Sequence, residues 1–227
     1  MTTPPNPLQD VPSHIHTLLN RLHAESLAQE TALPADAFQA SNFHEVMRDK
    51  FIALDQDKCH FIYQLCRSIN AKTIVEAGTS YGVSTIYLAL AVAANVAATG
   101  GKGTVVGTEY EANKAEQARA YWRECGGVVE DLIDLREGDL RETLKEDVAE
   151  VDLLLLDIWT PMALPTLQLI QPKMRYGAIV IADNTVKSGV KYKELLDYLR
   201  APQSGFTNLT LPYSNGLEMS VYLPQGQ

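Results

Sequence analysis

The sequence has few positive charges. Its 19 lysine and arginine residues face 28 aspartate and glutamate residues, which gives a formal net charge of -9 at pH 7. A negative surface field repels the phosphate backbone of nucleic acids and the headgroups of anionic lipids. We therefore expect neither nucleic acid nor a membrane among the partners of this protein.

Cysteines and long apolar runs are also scarce. The three cysteines, Cys59, Cys66 and Cys125, include no C-x-x-C pair, and an odd number cannot close into a complete set of intramolecular disulfides. The apolar stretch Ile86–Ala98 is too short to cross a bilayer as a helix. Residues 1–10 are polar and contain prolines, which is not the pattern of a signal peptide. These absences predict a cytoplasmic protein without a disulfide framework.

What the sequence does contain is a regular alternation of short apolar runs with helical patterns. In a chain of 227 residues that is 46% hydrophobic, this predicts one α/β domain with a parallel sheet and crossover helices. The runs are Thr73–Ala77, Thr104–Thr108, Leu132–Arg136, Val151–Asp157 and Ala178–Ala182. Two further runs, Thr207–Leu211 and Glu218–Leu223, flank an Asn215-Gly216 turn signal and predict an antiparallel hairpin. We therefore predict a doubly wound, mostly parallel seven-stranded sheet that ends in a hairpin.

Helical patterns precede the first strand. Apolar residues recur at helical spacing in Val11–Leu33, and further helices are predicted at Asn42–Phe51 and Asp55–Ile69. In the last of these helices, Cys59 and Cys66 lie on the apolar face, which predicts a place in the core rather than in chemistry.

These helices divide the chain into two parts. Residues 1–52 are predicted to form an accessory helical lid segment, and residues 53–227 the sheet domain. His44 and Arg48 belong to the part of the lid that could fold over a ligand pocket.

Glycines and serines follow the first predicted strand. In open α/β sheets ligands bind beyond the carboxyl ends of the strands, so these residues are candidates for a binding site. Gly78 and Gly82 would let the backbone approach a ligand, and the start of the next helix can bind a carboxylate. Ser80 and Ser84 add hydroxyl donors. The alternative is an ordinary strand-to-helix turn, in which a G-x-x-x-G spacing also occurs.

Acidic residues follow the next two strands. Glu109, followed by Tyr110, lies where an acidic side chain can accept both hydroxyls of a ribose, although it could also be a solvated glutamate. Asp139, between Gly138 and Leu140, could accept a hydrogen bond from the exocyclic amine of an adenine ring. Its alternative role is to cap a helix.

Two cofactor classes need such a set of residues, a dinucleotide and S-adenosylmethionine (SAM). The turn lacks the G-x-G-x-x-G spacing in which the second glycine makes room for a pyrophosphate. Glu76, two residues before Gly78, suits the cationic amino-acid end of SAM. The residues therefore favour SAM over a dinucleotide.

Four segments together resemble the catechol O-methyltransferase-like class of SAM-dependent enzymes. They are Val75–Ser84, Leu154–Trp159, Ile181–Val186 and Gly216–Glu218, and the resemblance extends over residues 53–223. It implies a Rossmann-like SAM-dependent methyltransferase domain. The implied cofactor contacts are Gly78, Ser80 and Ser84 for the methionine end of SAM, Glu109 for the ribose, and Gly138, Asp139 and Leu140 for the adenine, with Trp159 nearby.

The resemblance also implies a divalent cation, usually Mg²⁺. The matching ligands are Asp157, Asp183 and Asn184. Two carboxylates and an amide at adjacent strand ends supply the oxygen ligands that a hard cation prefers. The alternative is that Asp183 and Asn184 cap a helix starting near Ser188.

One position departs from the family pattern. The catechol-methylating members have His-Trp-Lys after the first metal ligand, with the lysine as general base, whereas this chain has Ile158-Trp159-Thr160. A threonine cannot replace an amine base at neutral pH. Lys187 or Lys191 could supply a cation or a base, although a solvated surface lysine is the more common situation.

The function predicted from these observations is methyl transfer from SAM to a hydroxyl of a small, phenol-type acceptor, helped by a divalent cation. Asp157, Asp183, Asn184 and Lys187 are the candidate catalytic residues. Two alternatives stay open here, a carboxyl methyltransferase without a strict need for metal and a SAM-binding subunit without catalysis. The sequence also leaves open whether the protein forms a homodimer.

Overall fold

The seven-stranded sheet predicted from the sequence is present. A computed structural model describes residues 5–33 and 48–225, and the strand order in this part of the chain is β3-β2-β1-β4-β5-β7-β6. The strands are β1 (Thr73–Ala77), β2 (Thr104–Glu109), β3 (Ile133–Glu137), β4 (Val151–Leu156), β5 (Met174–Asp183), β6 (Phe206–Leu211) and β7 (Leu217–Tyr222). The order reverses between β1 and β4, so a ligand crevice is expected there.

Helices cover both faces of the sheet. They are α1 (Ser13–Thr31), α2 (Gln56–Ser68), α3 (Val83–Thr99), α4 (Ala112–Cys125), α5 (Gly127–Glu130), α6 (Leu140–Thr143), α7 (Thr160–Ile170) and α8 (Lys193–Arg200), with a 3-10 turn at Gln171–Lys173. One core cluster is built from α1 to α5 and the other from α6 to α8. The doubly wound architecture is therefore confirmed.

The central strands are parallel and buried, as expected for strands covered by helices on both faces. All six residues of β4 are buried, because helices cover this strand on both faces. β1 pairs in parallel with β2 and β4, and β5 pairs in parallel with β4 but antiparallel with β7. At the predicted hairpin turn, Asn215 and Gly216 have φ angles of +61° and +80°. These left-handed conformations suit an Asn-Gly turn, so the predicted hairpin is confirmed.

The N-terminal helix packs on the domain through its apolar stripe. Ile15, Leu18, Leu19 and Leu22 are buried, and α1 contacts α3 and α4. His23 meets the hydroxyl of Tyr87 at 3.0 Å, which adds a polar contact to this interface. The predicted amphipathic helix is thus confirmed.

The second predicted helix, Asn42–Phe51, is only partly covered. Residues 42–47, including His44, lie outside the described residues. Residues 48–51 are not helical, so the predicted helix is wrong at its C-terminal end. Phe51 is buried instead, because its ring packs against the rings of Tyr81 and Tyr121.

The cysteines take the places expected for core residues. Cys59, Cys66 and Cys125 are all buried as free thiols, and burial raises the pKa of each. No helix formed by residues 5–33 or 48–225 is long and apolar enough to cross a membrane.

Candidate active site

A cavity of about 870 Å³ opens at the carboxyl ends of β1 to β5. This volume lies within the usual range for small-molecule sites. The predicted site residues that line it are Gly78, Ser80, Glu109, Tyr110, Gly138, Asp139, Leu140, Asp157, Trp159, Asp183, Asn184 and Lys187. Residues distant in sequence meet at one edge of the sheet, as the parallel topology requires.

The turn after β1 has a tightly constrained backbone. Gly78 has a φ angle of +94°, and a Cβ atom at this position would lie 2.1 Å from the backbone oxygen of Asp157. Ser80 and Gly82 also adopt left-handed conformations, and the carbonyl of Gly82 accepts a hydrogen bond from the indole of Trp122. The turn therefore lies in backbone contact with the residue that follows β4, beside the cavity.

Glu76 and Ser84 lie beneath this turn and are not among the residues that line the main cavity. The carboxylate of Glu76 is fully buried and accepts hydrogen bonds from the hydroxyls of Thr79, Ser84 and Thr85 at 2.9, 2.6 and 2.5 Å. Burial raises the pKa of Glu76 despite these bonds. Both residues hold the turn from below, and their predicted contact with the cofactor stays a prediction.

Glu109 links the ends of β1 and β2. One carboxylate oxygen accepts a hydrogen bond from the backbone N–H of Ser80 at 2.7 Å, and the other accepts bonds from the N–H groups of Tyr110 and Glu111. An ionised carboxylate has further lone pairs, so this fixed group can still accept ribose hydroxyls. Tyr110 is 70% exposed at the rim of the cavity.

The end of β3 carries the adenine candidates. Gly138 donates its N–H to the carbonyl of Glu109, and Leu140 is buried. The side chain of Asp139 caps α6 by accepting the N–H of Arg141, and it also pairs with the guanidinium of Arg141. These bonds lower the pKa of Asp139 to about 2. The capping role is confirmed, and the adenine contact stays a prediction.

The ends of β4 and β5 bring together a half-buried acid, Asp157, and a buried acid, Asp183. Burial, together with the negative charges of Asp183 and Glu76, raises the pKa of Asp157 to about 8. Asp183 accepts hydrogen bonds from Lys58 Nζ at 2.7 Å and from the amide of Asn184 at 2.8 Å. Burial raises the pKa of Asp183 as well, and the ammonium of Lys58 opposes that shift. Asp157 and Asp183 thus form an acidic wall of the cavity, and the buried ammonium of Lys58 contacts it.

Lys58 was missed by the sequence reasoning. It is 1% exposed and pairs with both Asp183 and Asp55. Burial opposes the positive charge of Lys58, but the two carboxylates raise its pKa. A signal was available, because Lys58 lies one helical turn before the core residue Ile62 on an otherwise apolar face.

The capping alternative for Asp183 and Asn184 is wrong in this structure. The helix that follows them begins at Lys193, and its N-terminus has no capping side chain. Asn184 has a φ angle of +60° and directs its amide to Asp183. Asn184 therefore contacts Asp183 in the acidic wall, and neither side chain caps the helix that follows.

The outer part of the cavity is apolar with cationic edges. Trp159 and Val190 line it and are 49% and 92% exposed, which leaves apolar surface for an acceptor. Lys187 and Lys191 also line the cavity. Thr160, which stands in place of the family's lysine, is the first residue of α7.

The comparisons with known proteins agree with this geometry. A family model described as a methyltransferase domain matches residues 75–185. The catechol O-methyltransferase of Mycobacterium tuberculosis is 30% identical over 190 residues, which cover 83% of this chain and 77% of that protein. The chain is a SAM-dependent O-methyltransferase of the catechol O-methyltransferase-like family. This membership sets aside the alternative of a SAM-binding subunit without catalysis.

Solved structures share the fold of this methyltransferase. The O-methyltransferase TomG from Streptomyces achromogenes, in complex with SAM, matches with a TM-score of 0.68 and 21% identity, covering 90% of this chain and 98% of that chain. The O-methyltransferase from Bacillus cereus, in complex with SAH, matches with a TM-score of 0.66 and 21% identity, covering 95% and 94%. The sheet described above is thus the fold of class I methyltransferases.

Replacing Glu109 by glutamine should weaken SAM binding by the methyltransferase. The N–H groups of the new amide would face backbone N–H groups that now donate hydrogen bonds to the carboxylate. The predicted charge-assisted bonds to the ribose would also be lost. Such bonds are worth about 1.5–3 kcal/mol, or roughly tenfold or more in affinity. Calorimetric titration with SAM measures the change.

The matched control is Glu137→Gln, at the end of β3, where the carboxylate pairs with Arg119 on the surface. This variant should bind SAM as the wild type does. Equal affinities of wild type and Glu109→Gln, or tighter binding of NAD than of SAM, would contradict the ribose assignment.

Proposed function

We propose that this methyltransferase transfers the methyl group of SAM to an ionised or acidic hydroxyl of a small phenol-type acceptor. A divalent cation at Asp157, Asp183 and Asn184 would assist the reaction. The supporting observation is that the three oxygen donors and the cofactor strand ends line one cavity with an apolar outer part. SAM and an acceptor could therefore bind next to each other in this one cavity, close to Asp157.

The donor set fits a hard cation. Carboxylate and amide oxygens are the ligands preferred by Mg²⁺, which usually keeps several waters. The negative charge of Asp183, which raises the pKa of Asp157, also favours the approach of positive charge. Within residues 5–33 and 48–225, no three His, Cys, Asp or Glu side chains form a cluster that could hold a metal. Asn184, water and the acceptor would therefore have to complete the coordination.

The chain's own residues would orient the reaction. Methyl transfer needs an oxygen lone pair aligned with the sulfonium methyl, and holding both reactants in place supplies much of the rate. The turn at Gly78 and the carboxylate of Glu109 would fix SAM, and Trp159 would limit the acceptor's movement. A bound divalent cation would supply Lewis acidity, which lowers the pKa of an acceptor hydroxyl.

A second candidate function follows from Thr160. Because this residue cannot act as an amine base, an acceptor that is already ionised has an advantage. A small organic acid, methylated on its carboxylate, satisfies this condition. Lys187, at the cavity, could hold such an anion by its charge.

The experiment that tests the proposal incubates the purified protein with SAM and a panel of acceptors. The panel pairs phenols of graded acidity with carboxylic acids of similar size, and mass spectrometry detects the gain of one methyl group. We expect methylated phenols. Methyl esters alone would favour the carboxyl methyltransferase, and no methylated product from any acceptor would contradict both.

The dependence on pH should follow the ionisation of the acceptor. Acceptors with a pKa well below 7 should react at a rate nearly independent of pH from about 6 to 9, whereas plain catechol should react poorly. The measurement is the initial rate of SAH formation across this range. Efficient turnover of plain catechol, with a rate that rises with pH and collapses in Lys187→Met, would show that a lysine base operates after all.

A further inference from the structure

Lys58 is the buried cation of the acidic wall. Its ammonium lies 2.7 Å from one oxygen of Asp183 and 2.9 Å from Asp55, and only 1% of its side chain is exposed. Lys58 and Asp183 are 125 residues apart in sequence, so α2 brings the lysine to the end of β5 only in the folded chain. The carboxylate of Asp55 is 42% exposed, which makes Asp183 the more desolvated of the two partners.

The contacts of Lys58 occupy a candidate metal ligand. One oxygen of Asp183 accepts the bond from Lys58, and its other oxygen accepts the bond from Asn184. The ammonium of Lys58 also acts on Asp157. Its charge lowers the pKa of Asp157, which burial and the neighbouring acids raise. Lys58 therefore balances part of the negative charge that a divalent cation would balance.

We propose that Lys58 is a built-in cation that competes with a divalent metal for Asp183 and so weakens metal binding at this site. The proposal rests on the metal site of the proposed function. Like charges a few ångströms apart repel one another, and the repulsion is stronger in a poorly solvated site. A metal held by Asp183 would share this carboxylate with the ammonium of Lys58. When no metal is bound, the positive charge of Lys58 offsets part of the repulsion between the carboxylates of Asp157 and Asp183.

An opposite role for Lys58 makes the opposite prediction. A second residue that donates a hydrogen bond to a metal-bound carboxylate usually orients that ligand and strengthens metal binding. If Lys58 acted in this way, its removal would weaken metal binding. The sign of the change in metal affinity therefore separates competition from orientation.

The test is a calorimetric titration of the chelator-treated full chain with Mn²⁺ at one pH. Replacing Lys58 by methionine keeps a long apolar stem and removes the charge, and we expect Mn²⁺ to bind about tenfold more tightly, or ~1.4 kcal/mol. Lys58→Arg keeps the charge and should stay near the wild type. Lys193→Met removes a lysine from the exposed surface of α8, where it pairs with Asp197, and should change nothing.

Thermal unfolding supplies a second measurement in case Lys58→Met folds poorly. Without metal the variant should melt at a lower temperature than the wild type, because the acids of the wall repel one another, and Mn²⁺ should restore more of its stability than that of the wild type. Unchanged or weaker Mn²⁺ binding in Lys58→Met, or no binding by either protein, overturns the proposal. SAM titration of the same samples separates this outcome from failure of the proposed function, because intact SAM binding leaves the methyltransferase assignment standing.

Discussion

Replacing Gly78 by alanine should abolish measurable SAM binding and lower the stability of the protein by about 3 kcal/mol or more. Two effects combine at this position. The φ angle of +94° is costly for a residue with a Cβ atom, and the new atom would lie 2.1 Å from the backbone oxygen of Asp157. The contact involves backbone on both sides, so no side-chain rotation can relieve it. The turn and the end of β4 must move apart, and both line the cavity in which SAM is predicted to bind.

A matched glycine separates the clash from the backbone strain. Gly126 has a φ angle of +81°, and a Cβ atom there would have no neighbour within 4 Å. Gly126→Ala should therefore cost only the backbone strain of about 1–3 kcal/mol and leave SAM affinity unchanged. Calorimetric SAM titration and denaturant unfolding of both variants provide the comparison. If the two variants lose the same stability and both bind SAM, the contact with Asp157 is not what requires glycine at position 78.

The position of this turn illustrates how much the sequence could predict. Apolar runs bounded by turn residues locate the strands to within a residue or two, because buried parallel strands such as β4 need apolar residues on both faces. β5 was the exception. It was predicted to begin at Ala178 but starts at Met174, since Arg175, Tyr176 and Gly177 are not an apolar run. Met174 is buried, but the partly or fully exposed residues that follow it interrupt the apolar signal.

The candidate site was predictable where topology decides it. The carboxyl ends of parallel strands meet at one edge, so Glu109, Asp157 and Asp183 could be placed together from their positions in the chain alone. Lys58 could not, because its position depends on how α2 packs against the end of β5. The single hydrogen bond from Ser84 to Glu76 could not be predicted either, because both residue types occur as readily in a ligand contact as in a buried network.

A second large loss of activity is expected at Asp157 and Asp183, which differ in what they contact. The backbone of Asp157 contacts the turn that carries Gly78, and its N–H donates to the carbonyl of Ala77. Asp183 accepts its hydrogen bonds from Lys58 and Asn184, neither of which belongs to that turn. We therefore expect Asp157 to act toward both SAM and the metal, and Asp183 toward the metal alone.

Replacing Asp157 by asparagine should lower turnover about a hundredfold or more and weaken SAM binding roughly tenfold. Replacing Asp183 by asparagine should lower turnover to a similar extent, because a metal ligand is lost, but SAM affinity should not change. Both substitutions preserve size, so packing around the acids stays close to that of the wild type. Asp134→Asn, an exposed acid paired with Arg136 near the start of β3, serves as the control for loss of one negative charge.

The measurements are initial rates with an acceptor that the wild type methylates, and calorimetric SAM titrations, each with chelator and with added Mg²⁺. Equal losses of SAM affinity in the two variants would show that the acids form one electrostatic unit rather than two separate contacts. Full activity of the chelator-treated wild type, unchanged by Mg²⁺, would contradict the metal role of both acids. Asp183 would then serve mainly to hold Lys58, and the positive charge beside the acceptor oxygen would come from the protein itself. A pH-independent rate with acidic acceptors is consistent with that outcome, because an ionised oxygen needs positioning but no activation by a metal.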